Sequence, residues 1–164
     1  MKKFLFMCCA LALPACLLFT ACNDDDESKT LAQTVEGTYP VDIRVGLGSA
    51  PDPSSEAIDA SVIVKAAGDN TVNLELKGFS LDGENEVPIS LNGITVSGSE
   101  GNVTMAYNGV ITSDALAALG HISGSLSGTV KSAVMDLLLN IEVRMSDASA
   151  ETPDLVVIVS VKSK

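Results

Sequence analysis

Tryptophan is absent from this 164-residue chain, histidine occurs once, and cysteine is confined to the first 22 positions as Cys8, Cys9, Cys16 and Cys22. The body of the protein therefore holds no disulfide, no thiolate metal site and no cysteine nucleophile. An exported compartment would permit disulfides, so stability has to come from a buried core. One histidine cannot build a multi-histidine metal site or supply a His-based triad with a spare partner. His121 follows Gly120 where a loop enters a strand, and it reads as a surface or strand-edge residue. Beyond Cys22 the aromatic residues are Tyr39, Phe79 and Tyr107. Sugar-binding and base-stacking surfaces usually present several aromatic faces, which counts against both.

Basic residues are also few. The chain carries 10 Lys and Arg against 21 Asp and Glu, a net charge of −11. Removal of Lys2 and Lys3 with a cleaved leader would take −11 to −13. A domain this acidic repels nucleic acid and anionic lipid surfaces, so no nucleic-acid partner is expected. The carboxylates fall in loops or on polar strand faces. Asp82, Glu84 and Glu86 cluster in one loop, but a calcium site there would lack a clear fourth protein ligand. The glycine-rich stretch Ser123 to Gly128 precedes no helix, so it is not a phosphate loop. Its glycines keep strand spacing and read as bends or close packing. No catalytic residue, metal ligand or cofactor is assigned, and an enzyme is the least supported class.

What is present begins with the N-terminus. Met1-Lys2-Lys3 is a short cationic head, and Phe4 to Phe19 is almost wholly apolar, broken at Pro14. A membrane-spanning helix needs ~20 apolar residues; this run is shorter and has the form of a secretory signal. It ends in Leu18-Phe19-Thr20-Ala21-Cys22, which resembles the lipobox of bacterial lipoproteins. The resemblance implies that residues 1–21 are removed and that Cys22 carries acyl chains inserted in a membrane. Two or more chains hold a protein firmly where one holds it marginally, at ~0.8 kcal/mol per buried methylene. The acidic run Asn23 to Ser28 resembles the surface-export signal of Bacteroidetes lipoproteins, and such runs also serve as solvated tethers. The expected organisation is a signal over 1–21, an acylated cysteine and acidic flexible tether over 22–34, and a folded domain over 35–164. The expected location is the outer membrane, with the domain exposed at the cell surface or otherwise facing the periplasm.

From Gly37 onward the pattern has period two. Tyr39, Val41, Ile43, Val45 and Leu47 alternate with more polar neighbours, as in a half-buried strand. Similar stripes run through Ile58 to Val64, Val72 to Leu76, Val87 to Val96, Val103 to Ile111, Ile122 to Val130, Met135 to Met145 and Leu155 to Val161. The apolar phase slips by one residue at Asn92-Gly93, which predicts a β-bulge or two short strands. Thr112 to Gly120, with a Ser or Asp cap and an Ala/Leu run, predicts a short helix near 113–119. The fold class is all-β: about eight short antiparallel strands, suited to a small barrel or sandwich. Closing the sheet by pairing the last strand, Asp154 to Lys162, with the first would remove its edges.

Val35-Glu36-Gly37-Thr38-Tyr39, Asp69 to Lys77 with Phe79, Ile89 to Val96, Gly124 to Val130 and the strand from Leu137 to Val143 resemble the calycin-like β-barrel proteins of Bacteroidetes. The likeness runs over nearly all of 35–162 and implies an up-and-down barrel related to lipocalins. Gly37-Thr38-Tyr39 stands where lipocalins open with Gly-X-Trp. Tyr replaces Trp here, and the lipocalin C-terminal helix has no counterpart.

Two functional readings follow. In one, the barrel binds a small apolar ligand in a lumen lined by Tyr39, Met105 and Tyr107, with the tyrosine hydroxyls orienting a headgroup. In the other, a filled barrel acts as a structural or interaction protein at the cell surface, through loops 48–57, 78–86 and 146–153. Interior volume decides between them.

Overall fold

The computed structural model describes residues 29–164, except 49, 51–53, 81–84, 115, 117–118 and 146–151. Cys22, the signal and the acidic run lie outside the described residues, as do Asp82 and Glu84. Eight strands follow one short helix: α1 (Leu31–Thr34), β1 (Gly37–Leu47), β2 (Ile58–Gly68), β3 (Thr71–Lys77), β4 (Ile89–Ser99), β5 (Asn102–Val110), β6 (His121–Lys131), β7 (Val134–Arg144) and β8 (Leu155–Ser163). Each strand pairs antiparallel with its neighbours in sequence, and β8 returns to β1 with Val159 opposite Val45, closing the barrel. The expected up-and-down topology and the closure by the last strand are what the chain adopts.

Period-two patterning explains the closure. In β7, Met135, Leu137, Leu139, Ile141 and Val143 are buried, while Asp136 and Leu138 between them are exposed. Every strand places its apolar stripe on one side of the sheet, so a closed sheet gathers the stripes into one core. The bulge falls where the apolar phase slips. Leu91 pairs with Leu74 and Ile94 with Val72, so β4 holds one residue more than β3 at Asn92-Gly93. Gly93 takes a positive φ of 78°, and its amide donates to Asn73 Oδ1 at 3.0 Å. The extra residue keeps Ile94 and Val96 pointing inward after the slip.

The two ends of the barrel differ. One end carries tight reversals at Asp69-Asn70, Glu100-Gly101 and Ser132-Ala133, together with α1. The other carries the longer connections 48–57, 78–88, 111–120 and 145–154. A capping box starts α1: Gln33 N donates to Thr30 Oγ1 at 3.4 Å, and Thr30 N donates to Gln33 Oε1 at 2.8 Å. Ala32 is fully buried, and its amide donates to Asp69 O at 3.1 Å. Helix α1 lies inside the segment expected as tether. Of the helix expected over 113–119, residues 115, 117 and 118 lie outside the described residues; around them Leu116 N donates to Ser113 O and Leu119 N to Leu116 O, both i to i+3 turns.

Ser132 and Ala133 both have positive φ, 47° and 68°, the conformation of a type I′ hairpin turn, which favours Asn-Gly. L-residues with a Cβ are strained there by ~1–2 kcal/mol each. The double substitution Ser132→Asn, Ala133→Gly should therefore stabilise the protein by about 1 kcal/mol. A chemical-denaturation midpoint that fails to rise would refute this.

Candidate functional site

A void open to a water-sized probe would leave accessible area on its lining, yet Val41, Ile43, Leu91, Ile94, Met105, Met135 and Val159 are each 0% exposed. These residues come from β1, β4, β5, β7 and β8, and they meet in one continuous apolar cluster. Their side chains meet in the middle of the barrel with no water-sized void opening onto them.

Of the three residues expected to line a ligand, Met105 and Tyr107 lie two positions apart on the inward face of β5, and Tyr39 lies on β1. Met105 is part of the packed centre. Tyr39 sits at the tight-turn end, where its hydroxyl donates to Val35 O at 2.8 Å. The crevice beside it holds about 60 Å³, room for about two waters. Tyr107 is half-buried nearer the loop-bearing end, and its hydroxyl donates to the Val110 carbonyl. Both phenols are thus engaged by backbone. Burial raises the pKa of each above the usual tyrosine value. A raised folded value means the tyrosine contribution to stability is whole below the unfolded pKa, near 10, and is lost as pH climbs through the folded one. Tyr39→Phe should cost about 1 kcal/mol at neutral pH, because the buried Val35 carbonyl loses its partner. The same variant should lose stability less steeply in alkali than the parent, and parallel alkaline melting curves would contradict that.

A cleft of about 410 Å³ opens at the loop-bearing end, where the β5–β6 connection crosses the start of β6 and the end of β7. Its walls follow from local structure. Thr112 exchanges two backbone hydrogen bonds with Ser90 at the start of β4, Ser90 N to Thr112 O at 2.9 Å and Thr112 N to Ser90 O at 3.1 Å. This bridge continues the β4–β5 pairing past Val110 and holds the start of the connection against the barrel wall. Gly120 then turns the chain into β6 with a φ of 122°, and a Cβ at that point would stand 2.4 Å from the Arg144 carbonyl. His121 comes to lie directly opposite Arg144 on β7.

The chemistry of the cleft is polar and mixed. The Arg144 side chain is 18% exposed; it donates to Ser123 Oγ at 3.0 Å and to Glu142 Oε2 at 2.9 Å. Its charge is thereby met by a partner on its own strand. His121 and Asp114 are exposed at the rim. Ser113 is 8% exposed, and its hydroxyl is buried without a hydrogen-bond partner among the described residues. A buried unsatisfied hydroxyl costs ~1–3 kcal/mol and calls for an explanation. Ile111 and Ile122 are buried in the floor, while Val110 is 73% exposed at the edge. Of these residues the sequence had singled out His121 as a strand-edge residue, and Ser113 and Asp114 only as cap candidates. Arg144 falls on the polar phase of the stripe from Met135 to Met145. Its position facing His121 depends on the register of the β6–β7 hairpin.

No group of three or more His, Cys, Asp or Glu suited to a metal occurs among the described residues. None of their helices is long and apolar enough to cross a membrane. A family model described as a calycin-like beta-barrel domain matches residues 35–152. Among solved structures, the chain is similar to a Bacteroides fragilis protein provisionally described as an outer membrane protein. The identity is 22% and the TM-score 0.62, over 83% of this chain and 53% of that one. This chain thus spans about half the length of that protein. A redesigned β-barrel is similar at 14% identity and a TM-score of 0.45, covering 81% of this chain and 94% of its own. No curated protein matches the sequence.

Proposed function

The chain belongs to the calycin-like β-barrel domain family, and from that premise we propose that it is a membrane-anchored lipoprotein of the outer membrane whose filled barrel serves as a rigid scaffold for contacts made at its loop-bearing end. The observation that carries the proposal is the packed interior. Core side chains from β1, β4, β5, β7 and β8 with no accessible area leave the barrel axis to apolar packing. Recognition is then left to the surface. The grouping of the connections 48–57, 78–88, 111–120 and 145–154 at one end supports this reading, because binding residues concentrate on loops held by a rigid frame. Attachment to the membrane is assigned to acyl chains on Cys22, supported by the lipobox-like ending of the leader. Fold alone does not fix a role, so the Bacteroides fragilis protein lends the barrel and not a partner.

The test is occupancy of the interior. The full chain is purified from an exporting host in a detergent without a sugar headgroup and mixed with a fluorescent fatty acid. The expected result is no uptake beyond that of empty micelles, and no apolar molecule released on denaturation in native mass spectrometry. Stoichiometric uptake, or a co-purified apolar molecule held non-covalently, would overturn the scaffold reading in favour of a ligand-filled lumen.

A further inference from the structure

We infer that the cleft at the loop-bearing end binds a neutral polyhydroxylated molecule, of the chemical class of a mono- or disaccharide. The inference deepens the proposed function and rests on it only in that a closed lumen sends recognition to this end.

Three observations lead there. The first is Ser113. Its hydroxyl is buried without a partner among the described residues, in the wall of an open cleft, and a serine hydroxyl reorients about a single Cα–Cβ bond. A ligand hydroxyl can both donate to it and accept from it. The second is the balance of groups. Asp114 only accepts, Arg144 only donates, and Ser123 and His121 do both. A string of hydroxyls matches such a mixed set, whereas a purely acceptor ligand would leave Asp114 opposed. The third is charge. Arg144 already faces Glu142 at 2.9 Å, and the chain as a whole carries −11, so an anion entering the cleft finds no uncommitted cation and a repulsive field. The volume of about 410 Å³ lies within the ~300–1,000 Å³ usual for small-ligand sites. The shortage of aromatic residues rules against a stacked-ring platform. The exposed Val110 at the rim offers an aliphatic wall for the C–H face of a sugar ring instead.

Saturation-transfer difference NMR on the full chain, in the same sugar-free detergent, tests the assignment. The probes are neutral hexoses, N-acetylhexosamines and their disaccharides, with gluconate and citrate as anionic comparators and a fluorescent fatty acid in parallel. Transfer to at least one neutral saccharide is expected, weakened about five- to tenfold in Ser113→Ala, the worth of one lost hydrogen bond. Ser113→Ala should melt no lower than the parent, since it removes an unsatisfied group. Asp114→Ala, at an exposed position, provides a second variant with the same expected loss of binding. No transfer from any neutral saccharide, transfer from the anions alone, or equal binding by parent and both variants would each overturn the assignment. Fatty-acid uptake with saccharide binding intact would overturn the closed-lumen reading and leave the cleft standing.

Discussion

Gly128→Val should unfold much of the protein under conditions where the parent is stable. A Cβ at Gly128 would stand 2.2 Å from the Asp136 carbonyl oxygen and 2.7 Å from Leu137 Cα. Two of the three nearest atoms are backbone, so no side-chain rotation relieves the clash. β6 and β7 would have to separate along a hairpin that pairs from His121–Arg144 to Lys131–Val134. Overpacking a core costs ~1–3 kcal/mol where side chains can yield. With backbone in the way the loss should be about 3 kcal/mol or more, against a usual total of ~5–15 kcal/mol. Ser127→Val, one residue away and exposed, should change stability by no more than ~0.5 kcal/mol. Urea midpoints for the pair decide the matter. A Gly128→Val midpoint equal to that of Ser127→Val would mean that β6 and β7 do not approach so closely.

Cys22→Ala should move nearly all of the protein out of the membrane fraction. The described barrel has an apolar interior, and its outer strand faces carry residues such as Asp42, Lys65, Glu75, Asp136 and Lys162. The proposed attachment therefore lies in the acyl chains, and several chains together hold far more firmly than one. Metabolic labelling with an alkyne-bearing palmitate should mark the parent and leave the alanine variant blank. An unlabelled parent, or a variant that still sediments with membranes, would remove the anchor from the proposed function.

The barrel was legible because one signal repeats through the whole chain. Strands bury one face, and every second residue from Tyr39 to Val161 reports it. Even the bulge at Asn92-Gly93 shows as a slip in that rhythm. The cleft was illegible for a related reason. Its residues lie where the rhythm stops, at Thr112 to Gly120, or on the polar phase, at Ser123 and Arg144, where spacing does not say what faces what. Register would have told. Once Ser132-Ala133 is known to be a two-residue turn, the opposition of His121 and Arg144 follows by counting. Neither residue is Gly or Asn, so the turn gave no compositional sign of itself. The packed lumen was undetermined for a different reason. Val, Leu and Ile line a filled barrel and a hollow one alike, and only the fit of side chains across the axis separates the two.

The entry of the chain beside α1, at the end with the tight reversals, sets a height. From Cys22 to Lys29 there are seven residue steps, at most ~25 Å even when fully extended. Strands of 11 residues such as β6 and β7 are ~36 Å long, or ~28 Å of rise once tilted as barrel strands are. With Cys22 held at the bilayer, the loop-bearing mouth would stand on the far side of that rise from the point of attachment. At physiological salt, surface potentials decay over ~8 Å. A molecule arriving at the mouth would therefore meet the field of the protein alone, and its binding should be indifferent to whether the lipids beneath are neutral or anionic.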